Sequence, residues 1–299
     1  MCNKNITLKI ITMLKIDPIE YGNQKLFKLL LGGVAPRPIA FASTIDKSGN
    51  RNLAPFSFYN AFGVNPSTLI FSPSRRGRDN TTKDTFNNLK EVPEVVLNAV
   101  SYDMVYQMSL SSTEYDKGVN EFIKSGLTPL ESSIVRPHRV AESPLQFECK
   151  VREIIEISGK PGSGNLVVCE IVCIHLDENI LSNDGVIDPD KIDLVGRLGE
   201  DYYVRTSGNA KFMVPKPISS LGIGVDTLPE NVRLSHYLTG NELGRLGNLE
   251  KLPTESEIDI LRSDSNMNNF KTDTKALHKY ASRLISEDKI KEALTILMI

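Results

Sequence analysis

Two long stretches of alternating residues, LQFECKVREIIEIS from Leu145 and LVVCEIVCIHL from Leu166, are separated only by GKPGSGN. A period of two puts alternate side chains on opposite faces of an extended strand. A short Gly- and Pro-containing connection lets the second run fold back on the first. The chain is thereby committed to a long antiparallel hairpin, and the rest of its β-structure has to pair or pack with it. The glycines of this turn join two strands rather than open a helix, so a hairpin connection accounts for them better than a phosphate cradle.

Shorter segments repeat the theme. PRPIAFASTID sets Ile39, Phe41, Ser43 and Ile45 against Ala40, Ala42 and Thr44, a strand with one larger and one smaller face. Asp46–Asn50 is a turn, and RNLAPFSFYN is the return arm, where Pro55 lacks a donor and predicts an end or a bulge. TLIFSP is a further strand, closed by Pro73; the polar loop SRRGRDNTT then leads into a helix over KDTFNNLKE. VPEVVLNAVS reads as a strand, and YDMVYQMSLSS and GVNEFIKSG as helices, the second stopping at Gly126.

From about residue 228 the period changes to that of helices. Thr239 with Glu242, and Thr254 with Glu257, have capping-box spacing. Leu277, Ala281, Leu284 and Ile285, then Ile290, Ala293, Leu294 and Leu297, lie on helical stripes. The chain therefore divides into an N-terminal extension (1–17), a mainly β body with some α-helix (18–215) and a helical C-terminal extension (216–299). Met13 opens MLKIDP, a second plausible start, which leaves residues 1–12 as an appendage. The apolar stripes of the C-terminal extension need a surface to cover, and the barrel or a dimer is the expected one.

Composition narrows the function classes. A formal net charge of -2 over 299 residues lacks the broad positive field that non-specific nucleic-acid or anionic-membrane binding uses, while a local anion site stays open. No apolar run approaches the roughly 20 residues of a membrane helix. MCNKNITLKIITML is interrupted by Thr7, Lys9 and Thr12 and has no small-residue cleavage site. Four cysteines form no CxxC pair. A cytoplasmic protein is expected.

Familiar catalytic sets are missing. His138, His175, His236 and His278 are scattered, with no HExxH or Cys–His ligand spacing, so no metal site is expected. GxSxG, GxxxxGK[ST] and GxGxxG are absent as well. What remains is a polar cluster made of Arg37, Asn52 to Asn60, and Ser72 to Thr85. A phosphate monoester asks for cations, hydroxyls and backbone N–H groups at a helix start, and SPSRRGRDNTTKDT offers all three. The same run also suits a solvated loop. Ser57 and Asn60, within the aromatic FSFYNAF, are expected to be buried and to meet a heterocycle or to cap the turn before Pro66. Tyr202 and Tyr203, near Arg197, either border a ligand or are half-buried strand residues.

The run of GGVAPRPIAFASTID, NLAPFSFYNAFGVNP, TLIFSPSRRG, KDTFNNL, VLNAVS, EFIKSGLTPLESSIVRPHRVAESPLQFECK and LVGRLGEDYY resembles the flavin reductase-like, FMN-binding split-barrel family. The resemblance covers about residues 18 to 215. It implies a six-stranded-type antiparallel split β-barrel with Greek-key connections, a homodimer, and FMN as cofactor near the subunit interface. It also implies electron transfer from NAD(P)H to flavin or to a downstream protein acceptor, with a flavoredoxin-like electron carrier as the alternative. Carried onto this sequence, it sets the ring against Ala54, Ser57 and Asn60, with Asn52 beside them. The phosphate falls to Ser74, Arg75, Lys83 and Thr85, with Arg37 close by. Asp84 is expected to orient Lys83 or cap the helix, because a carboxylate facing phosphate would repel it. Hydride transfer from a nicotinamide nucleotide would take place at FMN N5, so no protein nucleophile is implied.

Overall fold

The long hairpin forms the spine of a seven-stranded antiparallel sheet in the order β2-β1-β5-β8-β9-β4-β3. Its strands are β1 (Ala40–Ile45), β2 (Arg51–Phe56), β3 (Tyr59–Val64), β4 (Ser67–Phe71) and β5 (Glu94–Asn98). The hairpin itself is β8 (Leu145–Glu156) with β9 (Asn165–Leu176). Two small ribbons complete the β-structure, β6 (Pro129–Leu130) with β7 (Arg139–Val140), and β10 (Val195–Arg197) with β11 (Tyr203–Arg205). The computed structural model describes residues 13–215, 221–264, 267, 270 and 273–299. The appendage expected over residues 1–12 lies outside the described residues. The chain divides into two compact units, Met1–Phe212 and Met213–Ile299.

In the first unit the sheet curls into a barrel. Phe56 on the edge strand β2 reaches Phe71 on β4, near the opposite edge, with ring centroids 5.5 Å apart. Both belong to one buried cluster with Ala40, Ala42, Leu97, Cys149, Val167 and Cys169, drawn from six strands. Register shifts along β8–β9, at Glu148/Cys149 and Val151/Glu153, are bulges of the kind that bend a sheet toward closure.

The unequal faces of β1 now have a cause. Every residue of the strand is buried. Ala40 and Ala42 point into the narrow barrel interior. Ile39 and Phe41 point the other way, into a second cluster with Met104, Met108 and Phe122 from the flanking helical segments. Each such large apolar side chain contributes about 1.5–3 kcal/mol by leaving water. Pro55 neither ends nor bulges β2, which runs through it in register to Phe56. As an edge strand, β2 pairs only with β1, so a residue without an N–H is tolerated there.

The second unit is helical: Gly240–Gly247, Glu255–Ser263, Thr274–Ser286 and Ile290–Leu297 are its longer helices. Both capping boxes form, Thr239 with Glu242 and Thr254 with Glu257. Gly247 permits a close backbone crossing, since a Cβ there would lie 2.9 Å from the carbonyl carbon of Gly224. Val232, Leu246, Ala281, Leu284 and Leu294 share one buried core, so the helical stripes cover one another. The surface that these stripes require is supplied within the unit, not by the barrel or a dimer.

Candidate functional site

The loop between β4 and the helix Asp84–Glu91 is held in shape by its own polar groups. Arg76 N–H donates to the Thr81 carbonyl at 2.9 Å, and Asn80, in the left-handed region at φ 61°, donates its N–H to the Arg76 carbonyl at 3.0 Å. Arg75 N–H reaches the Ser163 carbonyl at 2.9 Å, and Asn165 Nδ2 reaches the Pro73 carbonyl at 2.9 Å, pinning the loop to the β8–β9 turn. The loop thus delivers the chain to a helix start with fixed geometry.

That start is bare. Lys83 occupies the N-cap position and no side chain caps the helix. The first-turn N–H groups of Asp84, Thr85 and Phe86 therefore point outward without an intrahelical acceptor, at the positive end of the helix dipole. Lys83 is half-buried, with Nζ 5.9 Å from the centroid of the Phe56 ring. Among the described residues it has no carboxylate within ion-pair distance. Burial, and then the neighbouring Arg76, lower its pKa. Arg76 and Arg78 by contrast share Glu114: Arg76 Nε lies 3.2 Å from one oxygen and Arg78 pairs with the other. A half-buried ammonium beside free amides has the chemistry to hold an anion, because leaving such a charge unpaired away from water is costly.

The remaining expected residues divide between this site and its supports. Thr85 is buried and its hydroxyl donates to Asn52 Oδ1 at 2.8 Å, so it presents its backbone N–H rather than its side chain. Asn52 in turn donates to Glu121 Oε1 at 3.1 Å, and Leu53 N–H donates to Glu121 Oε2 at 2.9 Å. This chain of bonds fixes the helix start to β2. Burial raises the Glu121 pKa against these hydrogen bonds. Ser74 is half-buried, 3.5 Å from Ser72 between hydroxyl oxygens. Arg75 turns onto its own loop, donating to Asn80 Oδ1 at 2.8 Å and to the Asn80 carbonyl at 2.7 Å. Asp84 neither caps the helix nor pairs with Lys83; its carboxylate stands in the first turn, where the dipole favours a negative charge.

Arg37 is buried and donates to the Leu31 carbonyl, the Val34 carbonyl (2.7 Å), the Leu198 carbonyl (2.9 Å) and Ser57 Oγ (3.2 Å). Its fork closes the end of the Asn23–Gly33 helix and leaves it little to offer a phosphate. Ala54 is half-buried against the barrel core. Asn60 is exposed on the edge strand β3 and accepts the Ala61 N–H at 2.8 Å. Its expected burial fails because β3 turns nearly all its side chains outward. Phe56, Arg76, Arg78 and Glu114 were not singled out in the sequence; Arg76 and Arg78 lay within the basic loop, but nothing local marked Glu114 as their partner.

Two other clusters stand apart. Glu148, Cys173 and His175 bring their ligand atoms within 4.8 Å of one another. Glu148 is fully buried, and its oxygens accept the N–H groups of Ser133 (2.7 Å), Ile134 (2.7 Å) and Val135 (3.1 Å) and His175 Nε2 (2.6 Å). Burial pushes its pKa up, but these bonds together hold it below the ordinary value. The carboxylate is a clamp on the 133–135 segment. A cavity of about 520 Å³ is lined by Tyr102, Val105, Val195, Arg197, Tyr203 and Arg205, among others.

Residues 32–191, inside the first unit, match the flavin reductase like domain family. An uncharacterized protein of Aquifex aeolicus is 38% identical over 195 residues, which are 65% of this chain and 97% of that protein. Nitrilotriacetate monooxygenase component B from Bacillus cereus superposes with a TM-score of 0.64 at 27% identity, over 68% of this chain and 100% of that one. A split barrel domain protein from Shewanella frigidimarina gives 0.56 at 27% identity, over 65% and 94% of the two chains.

Proposed function

The chain belongs to the flavin reductase like family, with a split-barrel fold, and from that premise we propose that it binds FMN and acts as an oxidoreductase supplied by NAD(P)H. The observation that carries the reading is Lys83, a half-buried cation with no carboxylate partner among the described residues, at an uncapped helix start. A phosphate dianion fits this donor set: Lys83, the first-turn N–H groups of residues 84–86, and the Ser74 hydroxyl. Arg75 shapes the loop that holds them, and Arg37 braces Ser57. The Ala54–Phe56 end of β2, with Ser57 after it, offers backbone edges to a heterocycle, with Asn60 at the margin.

Bound FMN supplies hydride and single-electron chemistry, so the protein's tasks are to bind, orient and exclude water. Asn52, Thr85 and Glu121 hold the helix start rigid for the first two tasks. Electrons would pass on to a second flavin or a protein acceptor. We read the protein as a cytoplasmic homodimer, and the exposed Phe62 and Val64 on the β3 edge support a covered face there. No helix among the described residues is long and apolar enough to cross a membrane.

The test is the visible spectrum of the purified protein with and without added FMN, followed by anaerobic NADH and NADPH. Flavin bands that bleach with one nucleotide are expected. A colourless protein that takes up no FMN would overturn the cofactor; bands that neither nucleotide bleaches would overturn the electron donor.

A further inference from the structure

We propose that the cavity between β10–β11 and the helix Val105–Leu110 is a binding site for a planar aromatic carboxylate, with Arg197 as the residue that selects for its charge. Its volume of about 520 Å³ lies in the range of small-molecule sites. Val105 and Val195 supply apolar lining, and Tyr102 and Tyr203 supply ring surface.

The two arginines of the lining differ in what they have left to give. Arg205 is neutralised: its Nε lies 2.8 and 2.9 Å from the two Asp193 oxygens, and its guanidinium stacks 4.1 Å from the Tyr102 ring centroid. Arg197 is not. Its guanidinium stacks 4.5 Å from the Tyr203 centroid, yet among the described residues it makes no hydrogen bond. Its nearest carboxylate is Asp201, 3.9 Å away and fully exposed to water, while the Arg197 side chain itself is only 26% exposed. An idle guanidinium fork held flat on an aromatic face matches a carboxylate in the plane of the fork and an aromatic ring beside it.

The surrounding charge points the same way. Arg37 and Arg197 exchange backbone hydrogen bonds of 2.9 and 2.8 Å. Arg37 is a buried cation whose side-chain partners are all neutral oxygens, and Arg197 contributes to lowering its pKa. Arg37 does not line the cavity, but its charge beside Arg197, whose ion-pair partner Asp201 is solvated, adds to a positive field that favours an anion there. The cations of the basic β4 loop have partners of their own: Arg76 and Arg78 share Glu114, Arg75 is held by Asn80, and Lys83 stands at the bare helix start.

Ligand-observed NMR titration of the full chain tests the site with benzoate, benzamide, acetate and inorganic phosphate as probes. Benzoate should bind roughly tenfold or more tightly than benzamide or acetate, the lower end of what a hydrogen bond to a charged group contributes. Arg197→Gln should bring benzoate down to the level of benzamide, while Arg197→Lys keeps part of the preference and Asp201→Asn leaves it intact. The flavin spectrum of each variant reports separately on the cofactor site, so loss of one does not mimic loss of the other. Equal binding of benzoate and benzamide, or benzoate binding indifferent to Arg197→Gln, overturns the proposal. Phosphate competing as well as benzoate would overturn the aromatic assignment. Should Arg197→Gln fail to fold, the four-probe comparison on the unmodified chain decides alone.

Discussion

Lys83 carries a charge with no carboxylate within ion-pair distance among the described residues, and the residue-scale prediction follows from that. Lys83→Ala should weaken FMN binding by about 1.5–3 kcal/mol, the range for hydrogen bonds to charged groups. Arg75→Ala should weaken it less, because Arg75 is engaged by Asn80 and acts through loop shape. Flavin titration of both variants checks this; equal losses would mean that Arg75 touches the ligand. His278 gives a second residue-scale prediction. It is 1% exposed in the helical unit, bonded through Nδ1 to Ser235 Oγ at 2.6 Å, and its buried Nε2 has no partner among the described residues. Burial lowers its pKa below the ordinary 6.5. The unfolded chain therefore takes up a proton near that pH while the folded chain does not, and stability is lost as the pH falls below it. The loss is bounded at about 1.4 kcal/mol per pH unit for one group. Melting curves between pH 5 and 8 should show this slope in the natural chain and a flatter one in His278→Gln.

At the scale of elements, the capping boxes act on their own helices. Thr239→Ala and Thr254→Ala should each cost about 1 kcal/mol, and nearly add in the double variant because they cap different helices. Chemical denaturation of the three variants measures both the size and the additivity. Pairs of strands were legible in the sequence because alternation and turn residues are local properties: β1, β4, β8 and β9 stand where the pattern put them. Pro55 was not legible, since whether a missing N–H matters depends on which side of the strand has a neighbour. The segment from Leu26 to Leu31 reads as no more than an apolar cluster in sequence, yet it lies in the helix Asn23–Gly33, whose end the distant fork of Arg37 satisfies.

For the whole molecule, the barrel core and the core of the helical unit share no residue, and this predicts two separate responses. Phe71 is fully buried in the barrel, so Phe71→Ala should destabilise the first unit by about 3–5 kcal/mol. Calorimetry should then show that transition moving to lower temperature while the transition of the helical unit stays in place. A joint shift of both would mean the units unfold as one body. By itself, the sequence determined the long hairpin, the capped helices, the change of character after the barrel and the loop that carries the basic residues. Each of these is set by side chains a few positions apart, through pleat, helical period or cap. Only the tertiary structure decided which cation is free. Arg76 and Arg78 are matched by Glu114, Arg37 by carbonyls as distant as Leu198, and Lys83, among the described residues, has no carboxylate within ion-pair distance. Charge pairing depends on distance in space, which spacing along the chain does not reveal.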